Sequence, residues 1–268
     1  MTENQHYIPQ FYQKYWECGR KGYIWEFDKK YSNGNNRGIR QQAIRTRNSV
    51  PFLYEADEHN PTNATENWYG KFESIYSNRI KTLLSRRACL QMISKVDKLT
   101  ICRLYANFSA RNPMNLYNNP FNNMLASHFT LGEPNPHIDR RHIQNLIAFS
   151  EGAMMEIFGG DSHIMGDFEK ELLSSNLQIL ISNEANIVFC DSIISQVRNY
   201  NELFFPICPS LVAYFSRKPT KYDRIIRKIT EDEYTRMIRV YLLSQNVRKI
   251  YANSRATLET VYNYYKSL

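Results

Sequence analysis

Four short apolar runs in the second half of the chain limit the fold more than any other feature: Leu177 to Ser182, Asn186 to Asp191, Leu203 to Cys208 and Leu211 to Ser216. Each is too short to bury a helical face, so each reads as a strand. The polar Asn183-Glu184-Ala185 between the first two predicts a β-hairpin. Proline has no N–H for a sheet ladder, so Pro206 and Pro209 put the last two runs at an edge or a break. Another strand is expected at Gly22 to Asp28, where Tyr23, Trp25 and Phe27 alternate with polar or shorter residues, and an extended piece from Ser49 to Tyr54. The intervening Ser32-Asn33-Gly34-Asn35-Asn36-Arg37-Gly38 is a dense run of turn formers.

Other segments follow a helical period. From Thr65 onward, Trp68, Phe72, Ile75, Tyr76, Arg79, Leu83 and Leu84 fall near one stripe. A second helix begins near Val96 and ends before Asn112-Pro113, where the residue ahead of proline is pushed out of the helical region. Asn115 to Asn123 reads as a loop, Asp139 caps a helix reaching Phe158, and a short helix spans His163 to Ser174. Pro9 opens a short helix at Gln10. Thr230-Glu231-Asp232-Glu233 is a capping box, in which hydroxyl and carboxylate satisfy the first free amides of a helix. A short strand, Lys249-Ile250-Tyr251, and a helix from Arg255 to Tyr265 follow.

The pattern predicts an α+β protein, residues 1–268 forming a single domain, since no repeat and no long linker interrupts it. A chain of this length can bury roughly three quarters of its extended surface and needs no disulfide or metal to hold a core. The five cysteines are odd in number and lack a C-x-x-C spacing, which fits a reducing compartment. The first twenty residues carry no apolar signal segment, and no run approaches the roughly 18 apolar residues of a membrane span. The expectation is a cytoplasmic protein with no membrane partner.

No G-x-x-x-x-G-K-[ST], G-x-G-x-x-G or G-x-S-x-G occurs, which removes the common nucleotide-binding and hydrolase signatures. His137 and His142 are five apart and His59 stands alone, without the i, i+4 spacing of a zinc helix, so neither metal nor cofactor is expected. His6 is the leading candidate for acid–base chemistry because imidazole titrates near neutrality. Asp191, at the end of an apolar strand, can orient a histidine, or equally cap the following turn. Arg111 can hold a phosphate bidentately, or simply favour the helix terminus it occupies.

Charge points to an acidic partner. Lys and Arg total 34 against 26 Asp and Glu, a net +8. Arg37, Arg40, Arg45 and Arg47 fall in an acid-free stretch; Lys218, Lys221, Arg224, Arg227 and Lys228 form a second cluster with only Asp223 to offset it. Either can track a phosphate backbone, with Tyr31 or Tyr222 nearby to stack on a base.

The opening His6-Tyr7-Ile8-Pro9-Gln10-Phe11-Tyr12, followed by an aromatic strand ending in Asp28, resembles the domain of unknown function 4238 family of bacteria and their mobile elements, whose distinctive start is H-Y-[VI]-P-x-F-Y. Arg111-Asn112-Pro113, Phe189-Cys190-Asp191 and Pro206 to Pro209 are similar to later features of that family. After the strand aspartate such proteins often read Asn-Pro, whereas this chain has Ser192-Ile193. The resemblance implies an architecture but no reaction.

The resulting expectation is a small, mostly antiparallel sheet built from the Tyr23, Leu177, Ile187, Phe204 and Leu211 segments and covered by long helices. The N-terminal segment would cross the sheet and bring His6 near Asp191 and Arg111. Two functions follow as alternatives. One is a metal-independent enzyme acting on RNA, with His6 as acid or base, Asp191 orienting it and Arg111 stabilising phosphate charge. The other is a non-catalytic module in a host-defence or mobile-element setting that binds nucleic acid or a protein partner.

Overall fold

The computed structural model describes residues 4–32, 37–51, 64–86, 92–111, 167–192, 202–217 and 223–268. The first strand, β1 (Asn4–His6), is followed by helix α1 (Gln10–Gln13) and strand β2 (Tyr23–Asp28). Strands β3 (Ile39–Ala43) and β4 (Ser49–Pro51) precede helices α2 (Ala64–Arg86) and α3 (Lys95–Arg111). After α4 (Asp167–Ser174) come β5 (Asn176–Ile181), β6 (Phe189–Cys190), β7 (Glu202–Cys208), β8 (Leu211–Ser216) and β9 (Ile226–Lys228). Helix α5 (Glu231–Leu243), strand β10 (Lys249–Ala252) and helix α6 (Arg255–Ser267) complete the set.

The architecture is α+β and mostly antiparallel, but among the described residues the strands divide among three sheets instead of one. The first sheet runs β3-β2-β10-β6, the second β7-β8-β5-β9, and β1 pairs with β4 alone. All pairings are antiparallel except β5 with β9. The expected hairpin between Leu177–Ser182 and Asn186–Asp191 does not form. β5 pairs with β8 and β9, while β6 leaves for the first sheet and pairs with β10. Local turn signals cannot specify this, because both runs are apolar on both faces and either could pair with any strand of suitable length.

That two-sided apolarity has a structural cause. One face of the second sheet, with Leu177, Ile179, Phe205, Ala213 and Phe215, packs under α2 and α3. The other, with Leu180, Phe204, Val212 and Tyr214, packs against Met237, Ile238 and Tyr241 of α5. β7 is an edge strand whose register slips between Pro206 and Cys208, as its prolines predicted. The α2 stripe is Tyr69, Tyr76, Ile80 and Leu83; Ile75 turns outward and is 55% exposed. The expected 139–158 helix lies outside the described residues. Among the described residues no helix is long and apolar enough to cross a membrane.

The opening motif and the turn after it clamp the core under α3. Ile8, Tyr12 and Trp16, spaced by four, are all buried. The Tyr12 ring meets Phe108 of α3 edge-on at 4.8 Å, Phe189 of β6 at 5.4 Å and Phe205 of β7 at 6.0 Å. Its hydroxyl donates to the Pro206 carbonyl, and Trp16 Nε1 donates to the Ile187 carbonyl at 2.9 Å. One turn of chain thereby ties both sheets to α3, each buried aromatic contributing on the order of 5 kcal/mol before its entropy cost.

Candidate functional site

β2 places Glu26 and Asp28 two residues apart, hence on the same side of the first sheet. Both are fully buried. A carboxylate removed from water costs several kcal/mol unless it is paired, and the neighbouring strands supply the partners. Register sets Glu26 opposite Arg40 on β3 and Tyr251 on β10, and Asp28 opposite Lys249. Arg40 donates Nε and Nη2 to one Glu26 oxygen at 3.1 and 3.0 Å. Arg47 Nε and Lys249 Nζ each lie 3.8 Å from the other oxygen. Arg248 donates Nε and Nη2 to the two oxygens of Asp28 at 3.1 and 2.9 Å, a bidentate fork. Two buried carboxylates therefore hold four cations, and the cluster is net positive.

Asp191 follows β6 and joins this cluster at its edge. Its amide donates to the Lys249 carbonyl at 3.0 Å, and its carboxylate accepts from the Arg248 amide at 3.1 Å. Burial pushes its pKa up to about 6, against the pull of the Lys249 and Arg248 amides and of the Lys249 and Lys29 ammoniums. Lys29 itself is lowered by burial. Its Nζ donates to the carbonyls of Tyr241, Leu242 and Ser244 at 3.4, 3.2 and 2.8 Å, where a cation complements the α5 C-terminus.

Asn48 links the N-terminal segment to this face. Its backbone carbonyl accepts from the amides of Tyr7 and Ile8, and its side-chain oxygen accepts from the hydroxyls of Tyr7 at 3.3 Å and Tyr251 at 3.0 Å. Its Nδ2 donates to Gln13, whose own amide holds the Ile8 and Arg47 carbonyls. Tyr7 is raised above the normal phenol range, first by burial and then by the charges of Asp191 and Glu26. His6 is buried in β1, opposite Ser49 of β4. Tyr7, next to it, feels the Asp191 charge. Arg111 is the last residue of α3, and its side chain lies outside what the structure describes.

The exposed rim is aromatic and cationic. Tyr31, ending a 3-10 turn after β2, is 45% exposed. Arg40, Arg248 and Lys30 place their charges 5.4, 5.6 and 6.0 Å from its ring centre. Both guanidiniums stay about half exposed while the carboxylates that grip them are not exposed at all. Gly38, at φ +66, makes the turn possible: a Cβ there would lie 2.6 Å from the Asp28 carbonyl oxygen and 3.3 Å from the Tyr31 carbonyl carbon. Arg37, just before Gly38, reaches Glu259 at 3.5 Å and lies 5.9 Å from the Tyr262 ring centre on α6.

The two basic clusters of the sequence lie on different sheets. Arg40 and Arg47 serve the Glu26 cluster, Arg37 bridges to α6, and Arg45 is exposed in the turn after β3. Arg224 and Arg227 flank the second sheet. Arg224 lies 3.5 Å from Asp223, and Arg227 forms a fork on Glu233 that raises its already high pKa. Lys221 and the histidines 59, 137 and 142 lie outside the described residues. Among the described residues no three His, Cys, Asp or Glu side chains gather as a metal site requires. Glu26, Asp28, Arg248, Lys249 and Asn48 escaped sequence reasoning. The available signal was a pair of acids two apart inside an aromatic strand, matched by the adjacent basic pair Arg248-Lys249.

Fold and site together define an α+β protein whose N-terminal strap covers a sheet face of buried acids and half-exposed cations. The chain belongs to the family described as "Protein of unknown function (DUF4238)", whose profile matches residues 4–256. No curated protein and no solved structure matches it.

Proposed function

We propose that this protein binds nucleic acid, with RNA favoured, on the first-sheet face centred on Tyr31. The observation carrying the reading is an exposed aromatic ring flanked by Lys30, Arg40 and Arg248, two of them pre-positioned by buried carboxylates. An Arg has five N–H donors, so one forked onto Asp28 or Glu26 keeps donors for phosphate and loses little rotamer freedom on binding. The chain's net +8 supplies the long-range attraction.

Fluorescence anisotropy with a labelled mixed-sequence 20-nucleotide RNA tests this. Affinity should fall by one to several orders of magnitude between 50 and 200 mM salt, depending on how many phosphates are contacted. Lys30→Glu, an exposed change, should weaken binding about tenfold or more without altering the fold. Binding insensitive to both salt and Lys30→Glu sinks the proposal.

One observation favours a hydrolytic reading beside the binding one. Asp191, titrating at about 6, shares the Arg248 backbone with this surface and is a candidate general acid or base. RNA cleavage that survives a chelator and disappears in Asp191→Asn would support it. Intact RNA under all conditions leaves the protein a binding module.

A further inference from the structure

We infer that the Tyr31 surface takes an unpaired strand, one base stacking on the Tyr31 ring while the phosphates meet Lys30, Arg40 and Arg248; this rests on the nucleic-acid reading above. Tyr31 closes the 3-10 turn after β2, half exposed, with Arg40 and Arg248 5.4 and 5.6 Å from its ring centre. In a duplex each base face is covered by the next base, and only edges and phosphates are reachable. The major groove of A-form RNA is also too deep and narrow for a short turn to enter. A half-exposed ring set among guanidiniums therefore gains its stacking partner only from a base that is already free.

An exposed aromatic face set among cations suits a single strand with little regard to sequence, since every base has a π-face and every nucleotide one phosphate.

The test compares a labelled oligo(U) 15-mer with a blunt 15-base-pair RNA duplex, both by anisotropy at 50 mM salt, for wild type, Tyr31→Ala and Tyr31→Phe. Wild type should prefer the single strand by about tenfold or more. Tyr31→Ala should lose about tenfold for the single strand and nothing for the duplex, and Tyr31→Phe should keep the preference. Because Tyr31 is exposed, unchanged circular dichroism and melting should accompany these losses. Equal affinity for the two forms, or a Tyr31→Ala effect shared equally by both, overturns the inference while leaving nucleic-acid binding intact. Absence of binding to either probe overturns the underlying function instead.

Discussion

Asn48 shows how one residue can hold a motif in place. It adopts φ 54°, a left-handed conformation that asparagine tolerates better than most side chains, and its single amide oxygen serves two tyrosine hydroxyls. Asn48→Ala should cost about 3 kcal/mol, from buried hydroxyls left unsatisfied and a backbone now strained. Asn48→Gly relieves the strain but not the lost bonds, and should recover about 1 kcal/mol of that in urea unfolding at unchanged m. Asp191 gives a pH signature. Its folded pKa of about 6 lies above its ordinary 3.8, so between these values the folded state binds more protons than the unfolded one. The residue's contribution to stability therefore declines as pH rises from about 4 to 6 and is flat above. Unfolding free energies from urea titrations of Asp191→Asn should lose that decline and exceed wild type at pH 7 by about 1–2 kcal/mol, allowing for the partial exposure of the residue. In sequence, Asp191 stood out as a strand-end acid. Glu26 and Asp28 read as the outward side of a half-buried strand, because nothing local reveals that Arg40, Arg47, Arg248 and Lys249 fold over them.

Among the elements, those with strong local chemistry were legible and those defined by partners were not. The Thr230 box forms as expected, with the Thr230 hydroxyl accepting from the Glu233 amide and Glu233 accepting from the Thr230 amide. Helices α2, α3 and α6 start and end close to where periodicity and Pro113 put them. Strands β3 and β9 were read as basic clusters, since Ile39-Arg40-Gln41-Gln42-Ala43 and Ile226-Arg227-Lys228 have little apolar alternation. Both are edge strands, where charge discourages pairing with other chains and hydrophobic patterning is least required. The turn into β3 depends on Gly38. Gly38→Ala should lower stability by about 1–3 kcal/mol, because its new methyl must displace the Asp28 carbonyl and its φ is left-handed. Thermal melting followed by circular dichroism would read the loss, and Tyr31 fluorescence contacts should change with it.

For the molecule as a whole, Tyr12 is the point where both sheets and α3 meet. Tyr12→Ala should cost about 3–5 kcal/mol through the cavity it leaves, whereas Tyr12→Phe should cost about 1 kcal/mol for the lost bond to Pro206. Guanidinium unfolding followed by near-ultraviolet and far-ultraviolet signals should keep a single coincident transition in Tyr12→Phe. The first sheet joins distant stretches of chain: β2 lies between β3 and β10, and Arg248 reaches back 220 residues to Asp28. A nascent polypeptide emerging from the ribosome consequently carries β2 with one edge open and its acids only partly neutralised until nearly all of this stretch has been translated. Shielding that edge becomes a task for chaperones, and polypeptides stalled before residue 249 should be the species that aggregate.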